Sequence, residues 1–504
     1  MFRFHGGMNY HVAGMNHNKE FDLVIKHIRL VRPQADAIAN VDIGISGGKI
    51  ASIGPDLDVA AAAEVYDGQG WLAFPGLVDP HMHTGIYSPL QEDAITESRA
   101  AAQGGVTTSV NYMRTGGYYL NKGGPYREFF PEVLKLSKGR FHVDYAYHLA
   151  PMDQHHIAEI PELIDEFGVT SFKIFMFYGS HGLHGRSSSQ HEFLMIDEHE
   201  RYDFAHFEFV MRGIQSAMQQ YPDKADQISL SLHCETAEIM TAYTKIVEEE
   251  GRLKGLPAYS ASRPPHSEGL AIFIASYLAN ETELPNINLL HLTSRKAIVA
   301  ALQMAEVFPH INFRREVTIG HLMLDVDAPT GALAKVNPPI RPREDVEYLW
   351  ESLLDNKIDW VCSDHACCKH EEKVDAENPG DIWLAKSGFG GTEYLMSALV
   401  SEGSKRGLSF NKMAELTSYN PARRYGLRSK GDIDIGLDAD LVLVDPKETW
   451  TIRSEESESG QGYTPFENQE LNARVTTTFL RGIRIYDNNE MIGQPSGQYL
   501  KRPY

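Results

Sequence analysis

The sequence predicts an α/β protein, a (β/α)8 TIM-like barrel carrying a small β-sandwich domain built from both termini. Two observations predict it. Eight apolar, β-branched runs recur through the middle of the chain, each closed by a polar cluster and followed by a helical period, which is the alternation of a parallel barrel. Towards both ends, short strands and turns follow one another without helices: "DLVIKHIRLV" and "VDIGISGGKIASIG" on one side, "ADLVLVDP" and "VTTTFLRGIRIYD" on the other. The expected division is an N-terminal arm (1–18), a first part of the β domain (19–73), the barrel (74–427), a second part of the β domain (428–487) and a C-terminal tail (488–504).

Taken in order, the barrel strands read as "FPGLVDPHMH", "VTTSVNYM", "FHVDYAYHL", "VTSFKIFMFY", "ISLSLHCE", "INLLHLTS", "INFRREVT" and "IDWVCSDHA". Helical periods such as "PELIDEFG", "AIFIASYLAN" and "RKAIVAALQMAEVF" lie between them. "SGGK" near the start lacks the first glycine and the spacing of a phosphate loop, so it reads as a hairpin turn. The stretch from Gly179 to Arg201 is longer than a usual connection and rich in His, Ser and Gly. It is read as a lid or an oligomer contact. Acidic "SEESESGQGY", from Ser454 to Tyr463, reads as a solvated loop.

Bulk properties exclude several function classes. The 504 residues hold 47 Lys and Arg against 68 Asp and Glu, a net charge of −21, which argues against nucleic acid or an anionic membrane as partner. Met1 to Asn18 holds no signal-peptide core, and no later stretch has the unbroken apolar length of a membrane span. The four cysteines form no disulfide framework, so the expected compartment is the cytoplasm.

The chemistry is concentrated at the strand ends, where a barrel of this kind places its site. In "DPHMHTGIY", His81 and His83 sit two apart on a strand, so their side chains share a face. The fourth strand carries Lys173, the fifth ends in His233, the sixth in His291 and the eighth in Asp364. A single such histidine is more often a hydrogen-bonded core residue; four of them at strand ends, with a carboxylate, point to zinc or a similar first-row divalent ion. Lys173 is the odd member, because divalent charge and exclusion from water push an amine towards its neutral form. A neutral amine can add carbon dioxide and become a carbamate able to bridge two metals.

These segments, with "AAAQGGVTT", "SFKIFMFY", "HCE", "ASRPPHSEG", "HLTS", "NPPIR", "CSDHA", "TSYNPAR" and "GLDADLVLVD", resemble the amidohydrolase superfamily, and within it the hydantoinase/dihydropyrimidinase branch of cyclic amidohydrolases. The resemblance runs from about Asp22 to Tyr486. It implies His81, His83 and Asp364 on one metal, His233 and His291 on the other, and carboxylated Lys173 bridging two divalent ions, expected to be Zn2+. It also implies hydrolysis of a cyclic amide, imide or ureide by a metal-bridging hydroxide, with Asp364 shuttling the proton and Tyr178 polarising the scissile carbonyl. The partner is then a small cyclic amide, and the assembly a homotetramer by analogy with relatives.

Two positions depart from that branch. Asn337 precedes "PPIR" where hydantoinases usually carry serine, and Ser387 in "KSGFGGTE" stands where the family has asparagine. Both are candidate substrate-binding residues whose change puts the ring in question, with an allantoinase- or dihydroorotase-like ring hydrolase as the alternative. Dihydroorotase is disfavoured because Thr84 and Gly85, not an arginine, follow the histidine pair. A non-catalytic scaffold resembling the collapsin response mediator proteins is opposed by retention of every ligand. A one-metal deaminase is opposed by Lys173. Cys367 and Cys368 read as ordinary loop residues, since their spacing fits no zinc ribbon. His5, His11 and His17 belong to the arm, and Arg263 and Glu268 are read as shaping the mouth by pairing with each other.

Overall fold

A computed structural model describes residues 19–178, 181–186 and 193–504, with nothing said of the Arg186 side chain. The N-terminal arm and its histidines lie outside the described residues. The eight barrel strands form where they were read: Leu77–Met82, Val106–Met113, Asp144–Leu149, Ser171–Phe175, Ser229–His233, Asn286–Leu289, Asn312–Thr318 and Trp360–Cys362. They line up in chain order in one eight-stranded sheet whose neighbours all pair in parallel. A parallel bridge between Met82 and His365 joins the first strand to the segment after the eighth. The strands are buried almost throughout, which is why they read as continuous apolar runs rather than alternating ones.

Helices return the chain after each strand, among them Leu90–Gln103, Tyr126–Ser137, Gln154–Asp165, Phe204–Gln220 and Arg295–Val307. Several starts are set by side chains that accept orphan backbone N–H groups: Asp153 from His156, Asp203 from Ala205 and His206, Ser294 from Ala297. Among the described residues, no helix is long and apolar enough to cross a membrane.

Both ends of the chain build a separate nine-stranded sheet. Its longest strand, Phe21–Leu30, changes partner along its length: Phe21 to Lys26 pair with Ala62–Asp67, while Arg29 and Leu30 pair with Leu72 and Ala73. The register shift falls around His27, which has a φ of 54°. The "SGGK" turn joins Ala39–Ser46 to Lys49–Gly54 as an antiparallel hairpin, with Gly47 and Gly48 at φ of 58° and 76°. Leu441–Asp445 pairs with both Leu72–Pro75 and Arg474–Leu480, so the C-terminal strands complete the N-terminal sheet. One residue, Gly76, separates that sheet from the first barrel strand, and a Cβ there would lie 2.3 Å from the Thr107 hydroxyl oxygen. The acidic stretch 454–463 is not solvated throughout. Gln461 and Tyr463 are buried, and Gln461 Oε1 accepts from the Gly390 N–H at 2.7 Å.

The tail turns back under the barrel. Tyr145 N–H donates to Gln498 O at 2.9 Å, Leu500 N–H to Tyr145 O at 2.8 Å, and Arg502 Nη1 to Ser171 Oγ at 2.7 Å. These contacts fall near the starts of the third and fourth strands, so the tail covers the end of the barrel opposite the histidines. Lys430 ties the barrel to the terminal sheet: its ammonium lies 2.8 Å from Asp144, 2.6 Å from Asp440 and 3.1 Å from Asp438, all buried. Removing one member of such a cluster leaves uncompensated buried charge. Lys430→Met is expected to lower stability by about 3–5 kcal/mol in chemical denaturation; a loss below about 1 kcal/mol contradicts the coupling.

Candidate metal centre

Because His81 and His83 alternate on one face, their Nε2 atoms meet 3.3 Å apart. Asp364 Oδ1 lies 3.0 Å from His81 Nε2 and 3.2 Å from His83 Nε2, and Lys173 Nζ lies 3.1 Å from His81 Nε2. His291 reaches the same place, its ring centroid 4.3 Å from that of His233 and 5.4 Å from that of His81. Two of these residues hold strained backbones: His291 has a φ of 34° and Asp364 a φ of 53°. Left-handed conformations of non-glycine residues persist where the surroundings over-determine them, which is frequent at sites that aim a side chain.

Three of the four imidazoles are each held by a second group. His81 Nδ1 lies 2.7 Å from Glu316 Oε1, so its N–H donates there and Nε2 keeps its lone pair for the cluster. His83 Nδ1 pairs with the Tyr119 hydroxyl at 2.7 Å. His233 is turned the other way, Nε2 to Glu235 at 2.7 Å, and Arg263 grips both oxygens of that carboxylate at 3.0 and 2.7 Å. Glu316 also accepts the His291 backbone N–H at 3.1 Å and the Trp360 indole N–H at 2.7 Å.

The electrostatics suit ligation. Burial, reinforced by the Lys173 ammonium, pushes His83 down to about 3, and burial pushes His233 to about 4 against the pull of Glu235. Burial likewise drives His291 well below its ordinary value. All three are neutral near pH 7, the form a metal ligand needs. Burial would also lower His81, but the Asp364 and Glu316 carboxylates outweigh it and raise the pKa. Burial alone would raise Asp364; the two histidines hold it well below the usual carboxylate range. Burial brings Lys173 down to about 7, against Asp364 and Glu316.

These residues fit a metal. One ligand atom each from His81, His83 and Asp364 falls within a 4.8 Å span. His291 Nδ1 is buried with no hydrogen-bond partner among the described residues. The rings of His81, His83 and His233 are each held by a partner on one nitrogen, and the other nitrogens of His81 and His83 meet at Asp364. The donor set of imidazole and carboxylate is that of zinc and its neighbours.

Five of these residues, His83, Lys173, His233, His291 and Asp364, line a cavity that Asn337 and Ser387 also line. Asn337 accepts a hydrogen bond from the Tyr259 hydroxyl and donates from Nδ2 to Leu183 O at 2.6 Å. Tyr259 also lies 3.3 Å from Ser387 Oγ and takes a hydrogen bond from Arg263 at 3.3 Å, linking this wall through Glu235 to His233. Tyr178 is not among the cavity-lining residues. Its ring stacks on Phe175, which is, at 4.5 Å and 12°. Within the long 179–201 segment, His181–Gly182 pairs with Gly185–Arg186 as a hairpin, and Leu183 at its turn lines the cavity.

Sequence reading missed Glu316, Glu235, Tyr119 and Tyr259, because a lone Glu or Tyr in a strand or loop carries no spacing signal. For Glu316 a signal existed: an acidic residue inside the apolar seventh strand, "INFRREVT", is costly to bury unless used. The expected Arg263–Glu268 pairing does not form; Arg263 pairs with Glu235 at 2.7 Å and Glu268 with Arg341 at 2.6 Å. Cys367 and Cys368 are buried free thiols. Cys367 lies near Asp93 and Glu97, whose Glu97 oxygens already bond His365, Ser459 and Thr96. Glu316→Gln removes the charge that orients His81, and metal titration of the folded variant is expected to show affinity reduced about 10–100-fold. Unchanged affinity contradicts the orienting role.

Residues 214–485 match the model of the amidohydrolase family. The allantoinase of Rubrobacter xylanophilus is 30% identical over 492 residues, covering 95% of this chain and 98% of that protein, and the allantoinase of Salmonella choleraesuis is 31% identical over 489 residues, with the same coverage. Among solved structures, the L-hydantoinase (dihydropyrimidinase) of Arthrobacter aurescens superposes with a TM-score of 0.82 at 26% identity, over 95% of this chain and 99% of that one. The dihydropyrimidinase of Brevibacillus agri NCHU1002 superposes with 0.80 at 27%, over 95% and 98%. The chain belongs to the amidohydrolase family and is a hydrolase of cyclic amides.

Proposed function

We propose that the chain opens a cyclic amide, imide or ureide of the hydantoin or dihydropyrimidine kind at a two-metal centre. His81, His83 and Asp364 would hold one divalent ion, His233 and His291 the other, with Lys173, as its carbamate, between them. The observation that carries this is the convergence of Lys173 Nζ, His81, His83 and Asp364 within hydrogen-bond distance, with Lys173 held near neutrality. A neutral, buried amine is the species that adds carbon dioxide. Bound there, a pair of ions such as Zn2+ supplies acidified water and polarisation of an amide carbonyl.

The chain's own residues then do the rest. Asp364, ionised and beside both imidazoles, takes the proton from the attacking water and returns it to the departing ring nitrogen. Asn337 and Ser387, on the facing wall, hold the ring's polar edge. The resemblance asks Tyr178 to donate to the scissile carbonyl, and its ring stands one layer behind the wall. Tyr178→Phe checks this part by itself: kcat falls about 10²–10³-fold with metal retained if the hydroxyl is the donor, and stays level if it is not.

A second reading within the class is allantoin. It is supported by the allantoinases that align over 95% of the chain. Assembly into a homotetramer is supported by an apolar stripe: Leu270, Phe273 and Tyr277 lie exposed on one side of the helix Pro265–Glu281.

A panel of hydantoin, dihydrouracil, allantoin, a cyclic imide and a lactam separates the rings. Opening of at least one is expected, and opening of none contradicts the proposal. Lys173→Ala should lose metal and nearly all activity, with partial rescue by small carboxylic acids that fill the bridge; full metal content and activity in the variant would overturn the carbamate assignment. Light scattering of Tyr277→Asp should show a smaller species than the parent.

A further inference from the structure

The first barrel strand loses its regular pairing just where it delivers His81. Leu77–Met82 pairs with Val106–Met113 through Asp79 opposite Ser109 and Met82 opposite Asn111, so Pro80 and His81 together face Val110. Such a bulge re-aims a side chain and leaves the local backbone to other partners. Here the His81 N–H donates to Asp79 Oδ1 at 3.3 Å, and Pro80 O accepts from His148 Nε2 at 3.0 Å. His148, fully buried on the third strand, reaches past the second to make that bond.

The proton positions follow from the partners. Burial, with the charge of Arg502, holds His148 well below its ordinary value, so the ring is neutral. A carbonyl only accepts, so the ring carries its proton on Nε2 and accepts at Nδ1. The partner of Nδ1 is the Ser171 hydroxyl, which must then donate. Ser171 Oγ in turn accepts from Arg502 Nη1 at 2.7 Å, and a guanidinium only donates. One direction of donation thus runs from the C-terminal tail to the residue before His81. The same imidazole backs a ring that touches the proposed ligands. Tyr112, opposite His148 in the strand pairing, stacks on it at 4.3 Å and 25°. Its centroid lies 4.6 Å from that of His81, edge-on, and 3.8 Å from Lys173 Nζ.

We propose that His148 and Arg502 are positioning residues of the metal centre: they fix the bulge that carries His81, so the tail acts on a ligand at the other end of the barrel. This rests on the reading of His81 as a metal ligand. A tail that only covered the barrel would alter stability and leave metal affinity as it is.

Zinc-loaded full-length protein is titrated with a chromophoric chelator, and zinc affinity is read for the parent, His148→Phe, Arg502→Met and the double variant. His148→Phe keeps the stack on Tyr112 and removes both nitrogens. It is expected to lower affinity about 10-fold, and Arg502→Met by less, because Ser171 still donates to His148. The double variant is expected to fall no further than His148→Phe, since both residues act through one bond to Pro80 O. Ser171→Ala, which cuts the chain at its middle, replaces a single variant that does not fold. Parental affinity in a folded single variant, or losses that add in the double, overturns the assignment. With a zinc-loaded parent, those results sink this inference alone; a parent that holds no zinc sinks the metal reading and this with it.

Discussion

The site depends on the orientation of imidazole rings inside a barrel, and buried carboxylates set it. A histidine ring can present either nitrogen, and metal binding needs a particular one free. Glu316 settles this for His81 and also holds the backbone of His291, so one side chain on the seventh strand fixes residues on the first and after the sixth. Glu235 does the same for His233, itself clamped by Arg263. Removing such carboxylates from water is costly, and the cost is offset only because each oxygen is used. Glu316 accepts from His81, His291 and Trp360.

The fold was legible because its two periodicities are long and consistent. Every barrel strand read as a buried apolar run, and each formed, since strands covered on both faces leave a strong hydrophobic signal. The six metal-ligand candidates were legible for a related reason: His81, His83, Lys173, His233, His291 and Asp364 are polar residues at the ends of apolar runs, where only function justifies them. The groups that orient them were not, because a partner brought from another strand has no fixed spacing. Nothing near His81 in the chain indicates Glu316, and nothing near Asn337 indicates Tyr259 or Leu183. The role of Tyr178 came from the family resemblance; its ring packs against Phe175. The Arg263–Glu268 pairing failed because proximity in sequence said nothing about Glu235 and Arg341, which claim the two charges.

The wall opposite the ligands is organised by a chain of contacts rather than by single residues. Tyr259 connects Asn337 and Ser387 to Arg263, and Arg263 leads through Glu235 to His233. Asn337 and Ser387 are therefore coupled by direct contacts to His233.

The account makes one claim above the rest, that these six side chains hold two ions with Lys173 between them. Anomalous diffraction from zinc-replete crystals, collected on either side of the zinc edge, tests it most directly. It predicts two peaks per chain, one at His81, His83 and Asp364 and one at His233 and His291, with continuous density joining both to a carboxylated Lys173. A single peak, or two peaks with an unmodified Lys173 in crystals of active enzyme, would contradict it.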